Sequence, residues 1–150
     1  MKVFPYLSAP NTELQTVAES VELVAAPDEV WSLIGDFGGA WHPLDARISV
    51  TGTGIGQLRI IKTLDGREIV ERLEATDNVR RCFRYTNVAG MPVSHYTGML
   101  EVKPNGSGSV VAWRVQFLAN HQTDRAVKVL VSKLLNTGLE SLRSRFGAVP

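Results

Sequence analysis

The sequence predicts an α+β domain in which a curved, seven-stranded antiparallel sheet packs against one long C-terminal helix. Two observations predict this class: strand-like runs follow one another from residue 47 to 118, and an amphipathic stretch with helical period spans 126–146. The sheet and the helix each have an apolar face, and both are buried when the sheet wraps around the helix. Where the two faces fail to meet, a cavity remains.

The N-terminal part predicts the first strand and two short helices. Residues 1–12 contain two prolines and are typical of an irregular arm, and a single domain follows from 13 to 148. Residues 14–25 are rich in β-branched side chains and predict a strand. Pro27, followed by two acidic residues, begins a short helix, and residues 40–43 predict a second one. We therefore expect two short helices between the first two strands.

The middle of the chain predicts six consecutive strands joined by short turns. Clusters of Gly, Asp, Asn and Pro separate the runs, and this regular spacing is typical of an antiparallel meander. The predicted strands are 47–52, 56–64, 67–76, 80–88, 94–103 and 109–118. After a polar break, Thr123 or Asp124 supplies the N-cap of the final helix at 126–146.

Composition excludes several classes of function. The chain has 150 residues, 16 Lys and Arg against 15 Asp and Glu, and a net charge of +1, so it lacks the basic excess of a dedicated nucleic-acid binder. No apolar run approaches the roughly 20 residues of a membrane span, so we expect no membrane insertion. The single Cys82 excludes an internal disulfide framework and favours a cytoplasmic location. The composition neither predicts nor excludes a homodimer.

The sequence lacks the usual metal and cofactor motifs. Its three histidines are scattered, and the Gly-x-Gly-x-Gly run at 52–56 lies between two strands rather than between a strand and a helix. There is no Gly-x-Ser-x-Gly motif for a nucleophilic serine. We therefore expect no metal and no cofactor, and an enzyme of this sequence would rely on proton transfer by side chains. The sequence does not decide whether the protein is an enzyme.

One carboxylate falls on the apolar face of a predicted strand. Glu71 alternates with apolar residues, and a buried carboxylate needs a partner or a raised pKa. The turn at 65–66 fits two registers. A three-residue loop sets Arg59 opposite Glu71, which we prefer because it supplies a guanidinium. A two-residue turn puts Lys62 on that face instead.

The inner face of the sheet is apolar and aromatic with few polar groups, which is the composition of a small-molecule site. Core packing is the structural alternative for each aromatic residue, and an ion pair with Arg59 is the alternative for Glu71. Glu71 is the candidate catalytic acid or base. The candidate ligand-binding residues are Arg59, Ile61, Glu71, Tyr85, Asn87, Tyr96 and Trp113 on the sheet and Val127, Val131, Leu134 and Leu135 on the final helix.

Four motifs in a fixed order resemble the START-like (SRPBCC) superfamily over residues 17–146. They are APDEVW at 26–31, LDG at 64–66, VERLEATD at 70–77 and MPVSHY at 91–96. The chain looks most like the polyketide cyclase/dehydrase-type branch, which is related to abscisic-acid-receptor-like and Bet v 1-like proteins. Two departures separate it from the receptors: their cavity lysine falls at Ala46, and their longer gate loop is reduced to a short turn.

The resemblance implies a helix-grip fold whose sheet and C-terminal helix enclose a cavity for lipids, polyketides or similar molecules. It places Glu71 and Tyr96 among the polar residues of the cavity, with Arg59 and Ile61 on the neighbouring strand. It also implies two entrance loops. These are formed by Leu64, Asp65 and Gly66 and by Gly90, Met91, Pro92 and Val93.

We expect a protein that binds a small hydrophobic or aromatic molecule, such as a lipid or a polyketide, in that internal cavity. Two alternatives stay open. The first is a cofactor-free polyketide cyclase, dehydratase or aromatase that uses Glu71 as its acid or base. The second is a ligand-responsive regulatory module whose entrance loops contact a protein partner.

Overall fold

The computed structural model describes residues 13–119 and 123–150, so the expected arm at 1–12 lies outside the described residues. Every predicted strand is present, with bounds that differ from the expected ones by a few residues. The elements are β1 (Glu13–Leu23), α1 (Pro27–Ile34), β2 (Asp45–Thr51), β3 (Leu58–Thr63), β4 (Glu68–Asp77), β5 (Cys82–Ala89), β6 (Ser94–Asn105), β7 (Gly108–Ala119) and α2 (Asp124–Phe146).

The strands form one antiparallel sheet in the order β1-β7-β6-β5-β4-β3-β2. Strands β2 to β7 are the predicted meander, because each pairs with the next, while β1 pairs with β7. The curved sheet wraps around α2, whose apolar stripe, including Val131, Leu135 and Leu139, is buried. Within the described part of the chain, no helix is long and apolar enough to cross a membrane. The predicted α+β class and its helix-grip arrangement are confirmed.

Only one of the two expected short helices forms between β1 and β2. Helix α1 is present, whereas residues 40–43 belong to a segment of turns and bends from 35 to 44. Pro43 accounts for this difference, because the residue before a proline, here His42, is disfavoured in helical geometry. We call residues 35–44 the α1–β2 loop.

The β3–β4 hairpin has the preferred one of the two predicted registers. Arg59 pairs with Glu71 across the strands, and Gly66 has a φ of +89°, in the left-handed region. The amide of Gly66 donates to Thr63 O (3.0 Å) and closes the turn. Since a side chain is disfavoured in this conformation, Gly66 determines the length of the loop and hence the register.

One end of the sheet, which we call the closed end, is sealed by backbone contacts. The amide of Val24 donates to Gly147 O (3.1 Å), which joins the segment after β1 to the residue after α2. Ser109 Oγ donates to Ala25 O (2.8 Å), which joins the same segment to the start of β7. Gly108 packs directly on this backbone, because a Cβ there would lie 2.3 Å from Leu23 O.

The opposite end, which we call the open end, is surrounded by loops. These are the α1–β2 loop, the β3–β4 turn at 64–67 and the β5–β6 turn at 90–93, all close to the first half of α2. The predicted site residues therefore lie on a sheet that is sealed at one end and bordered by loops at the other.

Candidate functional site

An internal cavity of about 80 Å³ lies between the sheet and α2 at the open end. Its wall combines residues of the sheet, of α2 and of the surrounding loops. The lining residues discussed below are Trp41, His42, Leu44, Asp45, Arg59, Ile61, Glu71, Tyr85, Met91, Tyr96, Trp113, Leu134 and Leu135. A cavity of about 150 Å³ is known to hold benzene in an apolar protein interior, so this inner space alone is too small for an aromatic ring.

Arg59 and Glu71 form a buried ion pair in the wall of this cavity. Arg59 Nε donates to Glu71 Oε1 (2.8 Å), and Nη2 lies 2.6 Å from the same oxygen. Nη1 donates to Phe37 O (2.9 Å), and the guanidinium carbon lies 4.0 Å from the centre of the Phe37 ring. The two side chains are only 10% and 9% exposed. The pair therefore ties β3 and β4 to the α1–β2 loop.

This pairing bears on the role predicted for Glu71. A carboxylate that accepts a charge-assisted hydrogen bond from Nε and contacts Nη2 through the same oxygen serves as the counterion of a buried guanidinium. Without Glu71, the charge of Arg59 would be buried unpaired, which is strongly unfavourable. The structural alternative considered from the sequence is thus the arrangement observed. A catalytic role for Glu71 stays a prediction that this geometry does not support.

Tyr85 and Trp113 fill much of the space beside the ion pair. Trp113 Nε1 donates to Tyr85 Oη (3.1 Å), and Tyr85 is 2% exposed. Gly98 faces Tyr85 from β6, and a Cβ there would lie 2.2 Å from Tyr85 Cζ, so the ring requires glycine at this position. Burial raises the pKa of Tyr85 far above its ordinary value, so the hydroxyl keeps its hydrogen.

Tyr96 adds a second phenol to the cavity wall. Its ring stacks on Phe117, with centroids 6.1 Å apart and planes inclined by 19°. Burial also raises the pKa of Tyr96 well above its ordinary value. Tyr85 and Tyr96 are therefore able to donate hydrogen bonds to a ligand oxygen but not to act as bases.

His42 joins the α1–β2 loop to α2. The amide of Leu44 donates to His42 Nδ1 (3.1 Å), so Nε2 carries the ring hydrogen and donates to Leu134 O (2.7 Å). Gly138 makes this contact feasible, because a Cβ there would lie 2.7 Å from His42 Cδ2 and 3.0 Å from Trp113 Cζ3. The loop, the sheet and the helix thus meet at one glycine.

Asp45 is a cavity carboxylate that sequence reasoning missed. It lies at the start of β2, is half-buried, and forms no side-chain hydrogen bond or ion pair with any described residue. Desolvation raises the pKa of Asp45, and the nearby His42 and Arg59 only partly offset this. The pairing of β2 with β3 shifts register between Asp45 and Arg47, so strand alternation could not assign Asp45 a face. The adjoining Trp-His-Pro run is the signal that could have directed attention to it.

A second cavity, of about 240 Å³, adjoins the first, and we call it the vestibule. The residues common to both linings are Leu44, Thr63, Ile69 and Leu134. The vestibule is also lined by Leu64, Asp65, Arg67, Leu130 and Lys133. Leu64 is 67% exposed, so the vestibule opens to solvent beside the β3–β4 turn. Leu134 lies between the two spaces.

The structure brings most of the predicted ligand-binding residues together. Those that line the inner cavity are Arg59, Ile61, Glu71, Tyr85, Tyr96, Trp113, Leu134 and Leu135. Asn87 lies elsewhere, where its Nδ2 donates to the backbone of Val70 (3.2 Å) and Ala89 (2.9 Å) beside a β-bulge. Val127 and Val131 are buried in the hydrophobic core and line neither cavity.

The two predicted entrance loops contribute unequally. Leu64 and Asp65 line the vestibule, and Met91 lines the inner cavity. The remaining residues, which line neither space, are Gly66, Gly90, Pro92 and Val93. Gly90 has a packing role, because its φ is +103° and a Cβ would lie 2.3 Å from Glu68 O. The loops therefore border the two cavities mainly through Leu64, Asp65 and Met91.

Comparison with known proteins adds independent information. Residues 15–147 match the family described as polyketide cyclase/dehydrase and lipid transport. No curated protein matches the sequence significantly. Among solved structures, XoxI from Bacillus cereus superimposes with a TM-score of 0.82 at 29% identity, covering 87% of this chain and 94% of that one. A Thermobifida fusca protein gives 0.81 at 29% identity, covering 88% and 93%.

Norcoclaurine synthase from Thalictrum flavum is similar at lower identity. Its truncated form gives a TM-score of 0.74 at 18% identity, covering 93% of this chain and 98% of that one. Its structure in complex with dopamine and hydroxybenzaldehyde gives 0.72 at 17% identity, covering 99% and 97%. This similarity concerns the fold alone.

Proposed function

The chain belongs to the polyketide cyclase/dehydrase and lipid transport family, and from this premise we propose that it binds a small hydrophobic or aromatic molecule at the open end. The observation that carries the proposal is the pair of adjoining cavities between the sheet and α2. Small-molecule sites combine an apolar lining with a few polar groups that orient the ligand. Here those groups are His42, Asp45 and the hydroxyls of Tyr85 and Tyr96.

The sizes of the two spaces suggest how a ligand is seated. The inner cavity, at about 80 Å³, is smaller than the roughly 150 Å³ that holds benzene, whereas the vestibule, at about 240 Å³, is larger. An aromatic or short aliphatic compound therefore occupies the vestibule and directs one end past Leu134 towards Trp113. Apolar burial contributes roughly 25 cal/mol per Å² before the costs of association, so a compact ligand gains useful affinity from contact area.

Obstructing the space between the two cavities tests the proposal. Leu134→Trp adds bulk at a residue that lines both spaces, and Val129→Trp places the same side chain at a 65% exposed position on the same helix. The probe is N-phenyl-1-naphthylamine, a neutral aromatic dye that brightens in apolar surroundings. We expect Leu134→Trp to raise its Kd about tenfold or more and Val129→Trp to leave it within about twofold.

Native mass spectrometry with a wider panel gives the second measurement. Norcoclaurine synthase was solved in complex with dopamine and hydroxybenzaldehyde, so aromatic amines and aldehydes join fatty acids and aromatic polyketides in the panel. A wild-type protein that takes up neither the dye nor any member of the panel contradicts the proposal. Equal weakening of dye binding by the two tryptophan variants contradicts it as well.

A second candidate function, a cofactor-free cyclase, dehydratase or aromatase, is favoured by Asp45. A cavity carboxylate whose pKa is raised by desolvation is suited to exchanging a proton with a bound substrate. The two buried phenols are placed to donate hydrogen bonds to a substrate carbonyl. In this hypothesis Asp45 replaces Glu71 as the acid or base, because Glu71 is held by Arg59.

Turnover of a poly-β-keto thioester mimic tests this second function. We expect Asp45→Asn to lower the rate by about 100-fold or more while leaving the Kd of the dye unchanged. Glu140→Gln, which neutralises an exposed carboxylate on α2, is the matched control and should retain the wild-type rate. Absence of turnover in the wild type contradicts the enzymatic function. Full turnover in Asp45→Asn contradicts the role of Asp45 as its acid or base.

A further inference from the structure

The vestibule carries more positive than negative charge. Arg67, just after the β3–β4 turn, and Lys133, on α2, both line it. The acid in the same lining is Asp65, whose Oδ2 lies 3.8 Å from Arg67 Nε and whose Oδ1 accepts a hydrogen bond from the hydroxyl of Thr63. Lys133 forms no ion pair with any residue in the described ranges. One cation of the vestibule is therefore left without a counterion.

Arg67 also has an unsatisfied donor. Its Nε is buried and has no hydrogen-bond partner within the described residues, and it alone among their buried side-chain nitrogens and oxygens is in this state. The backbone around it is fixed, because its amide donates to Thr63 Oγ1 (2.9 Å) and its carbonyl accepts from the amide of Thr63 (2.9 Å). Nε and one Nη form one edge of the guanidinium, and along such an edge both nitrogens can donate hydrogen bonds to the two oxygens of one carboxylate. Arg67 thus has an ion-pair partner in Asp65, but its guanidinium forms no side-chain hydrogen bond with any described residue.

The rest of the vestibule is apolar. Its apolar residues are Leu44, Leu64, Ile69, Leu130 and Leu134. A neutral apolar ligand would cover these side chains but would offer no acceptor to the guanidinium of Arg67 or the ammonium of Lys133, and desolvation of a charged group without compensation is unfavourable. A ligand that satisfies both requirements carries an anionic group at one end and an apolar body at the other.

We infer that the natural ligand is an amphipathic carboxylate whose carboxylate binds Arg67 and Lys133. Its apolar body lies over the leucines of the vestibule and points past Leu134 into the inner cavity. This inference rests on the proposed function, since it names the ligand class of the same site. A fatty acid and an arylalkanoic acid share this chemistry, and the experiment separates them.

Two matched pairs of compounds isolate the contribution of the charge. The pairs are octanoate with 1-octanol and 3-phenylpropionate with 3-phenyl-1-propanol, measured by calorimetry at pH 7 and low salt. Within a pair the apolar body is the same, so the ratio of the two affinities reports on the carboxylate. We expect Arg67→Gln combined with Lys133→Gln to reduce that ratio about tenfold or more.

A charge-matched control excludes a general electrostatic effect. Arg80→Gln combined with Arg145→Gln removes two exposed cations at the closed end and should leave the ratio within about twofold. The larger ratio in the aliphatic pair supports a fatty acid, and the larger ratio in the aromatic pair supports an arylalkanoic acid. If the Arg67/Lys133 variant does not fold, Lys133→Gln alone, at an exposed position, should still reduce the ratio about threefold.

Three other outcomes have distinct meanings. An affinity ratio that is the same in the wild type and in the variants of Arg67 and Lys133 overturns the inference, while binding of the alcohols leaves the proposed function intact. If none of the four compounds binds the wild type while N-phenyl-1-naphthylamine does, this inference fails and the proposed function stands. If the dye and the wider panel do not bind either, both fail.

Discussion

The two ends of the sheet are closed by different kinds of contact. At the closed end, a backbone hydrogen bond joins the residue after β1 to the residue after α2, and Gly108 packs so closely that a Cβ would lie 2.3 Å from Leu23 O. At the open end, side chains bridge the loops and the helix, as His42 does to Leu134 O, and two cavities lie between them. The backbone contacts hold β1, β7 and the end of α2 close together, whereas the bridging side chains border two adjoining cavities between the sheet and α2. The difference indicates that the open end, where side chains bridge the elements, is the end able to accommodate a ligand.

The largest effect should come from the ion pair that supports the open end. Arg59→Met removes one partner of a pair that is about nine-tenths buried, and we expect the free energy of unfolding to fall by about 3–5 kcal/mol. Combining it with Glu71→Leu removes the unpaired carboxylate as well and should restore most of that loss, because apolar replacements of whole buried pairs are often neutral. Urea denaturation of the single and double variants measures both. Equal stability of Arg59→Met and the double variant would contradict the expected restoration.

A smaller effect, confined to the closed end, is expected for Gly108→Ala. The new Cβ meets the backbone of Leu23 and Val24, which cannot move aside as a side chain would, so we expect a loss of about 1–3 kcal/mol. Because the cavities lie at the other end, the Kd of the neutral dye should stay within about twofold of wild type. Thermal unfolding and dye titration on the same sample measure the two quantities. A large change in Kd would refute the division between the two ends.

His42→Ala should have the opposite pattern to Gly108→Ala, with a small loss of stability and a clear change in ligand binding. It removes the side-chain hydrogen bonds to Leu44 and Leu134, and since Leu134 O keeps its helical partner, the expected loss of stability is about 1 kcal/mol. The α1–β2 loop should exchange amide hydrogens faster, and the Kd of the dye should change at least about threefold. Hydrogen exchange by mass spectrometry measures the first effect. Gly108→Ala is the comparison variant. Unchanged loop exchange in His42→Ala, or an increase of the same size in both variants, would contradict the role of His42 in joining the α1–β2 loop to α2.

The smallest effect is the dependence of stability on pH that Asp45 contributes. Desolvation raises the pKa of Asp45 above its ordinary value of 3.8, so between these two pKa values the folded state binds more protons than the unfolded state. Stability of the wild type should therefore fall, relative to Asp45→Asn, as pH rises through the range above 3.8, and the difference between the two proteins should become independent of pH at lower pH. Urea titrations across this range measure the difference. A difference that grows on acidification has the wrong sign and would contradict the environment assigned to Asp45.

The fold and the ion pair were predictable because local chemistry and charge agree. The Asp65-Gly66 turn allowed two registers, and only one of them gave Glu71 a guanidinium partner. Strand alternation then placed Tyr85 and Tyr96 on the buried face, where the structure has them. These predictions depend on period and pairing, which a sequence records directly.

The shape of the site could not be predicted in the same way. The volume of the inner cavity depends on how the rings of Tyr85 and Trp113 pack, and Gly98 influences this from another strand. Asp45 escaped notice because the pairing shifts at the start of β2, where alternation no longer applies. Val127 and Val131 belong to the apolar stripe of α2, but periodicity does not distinguish the part of a stripe that meets the core from the part that borders a cavity.

Leu134 belongs to both halves of the site through different atoms. Its side chain lies between the vestibule and the inner cavity, and its carbonyl oxygen accepts the hydrogen bond from His42. A small rotation of α2 about its own axis would shift both groups at once, so the width of the passage is mechanically linked to the position of the α1–β2 loop. A bulkier ligand that displaces α2 at Leu134 should therefore also displace the α1–β2 loop at His42.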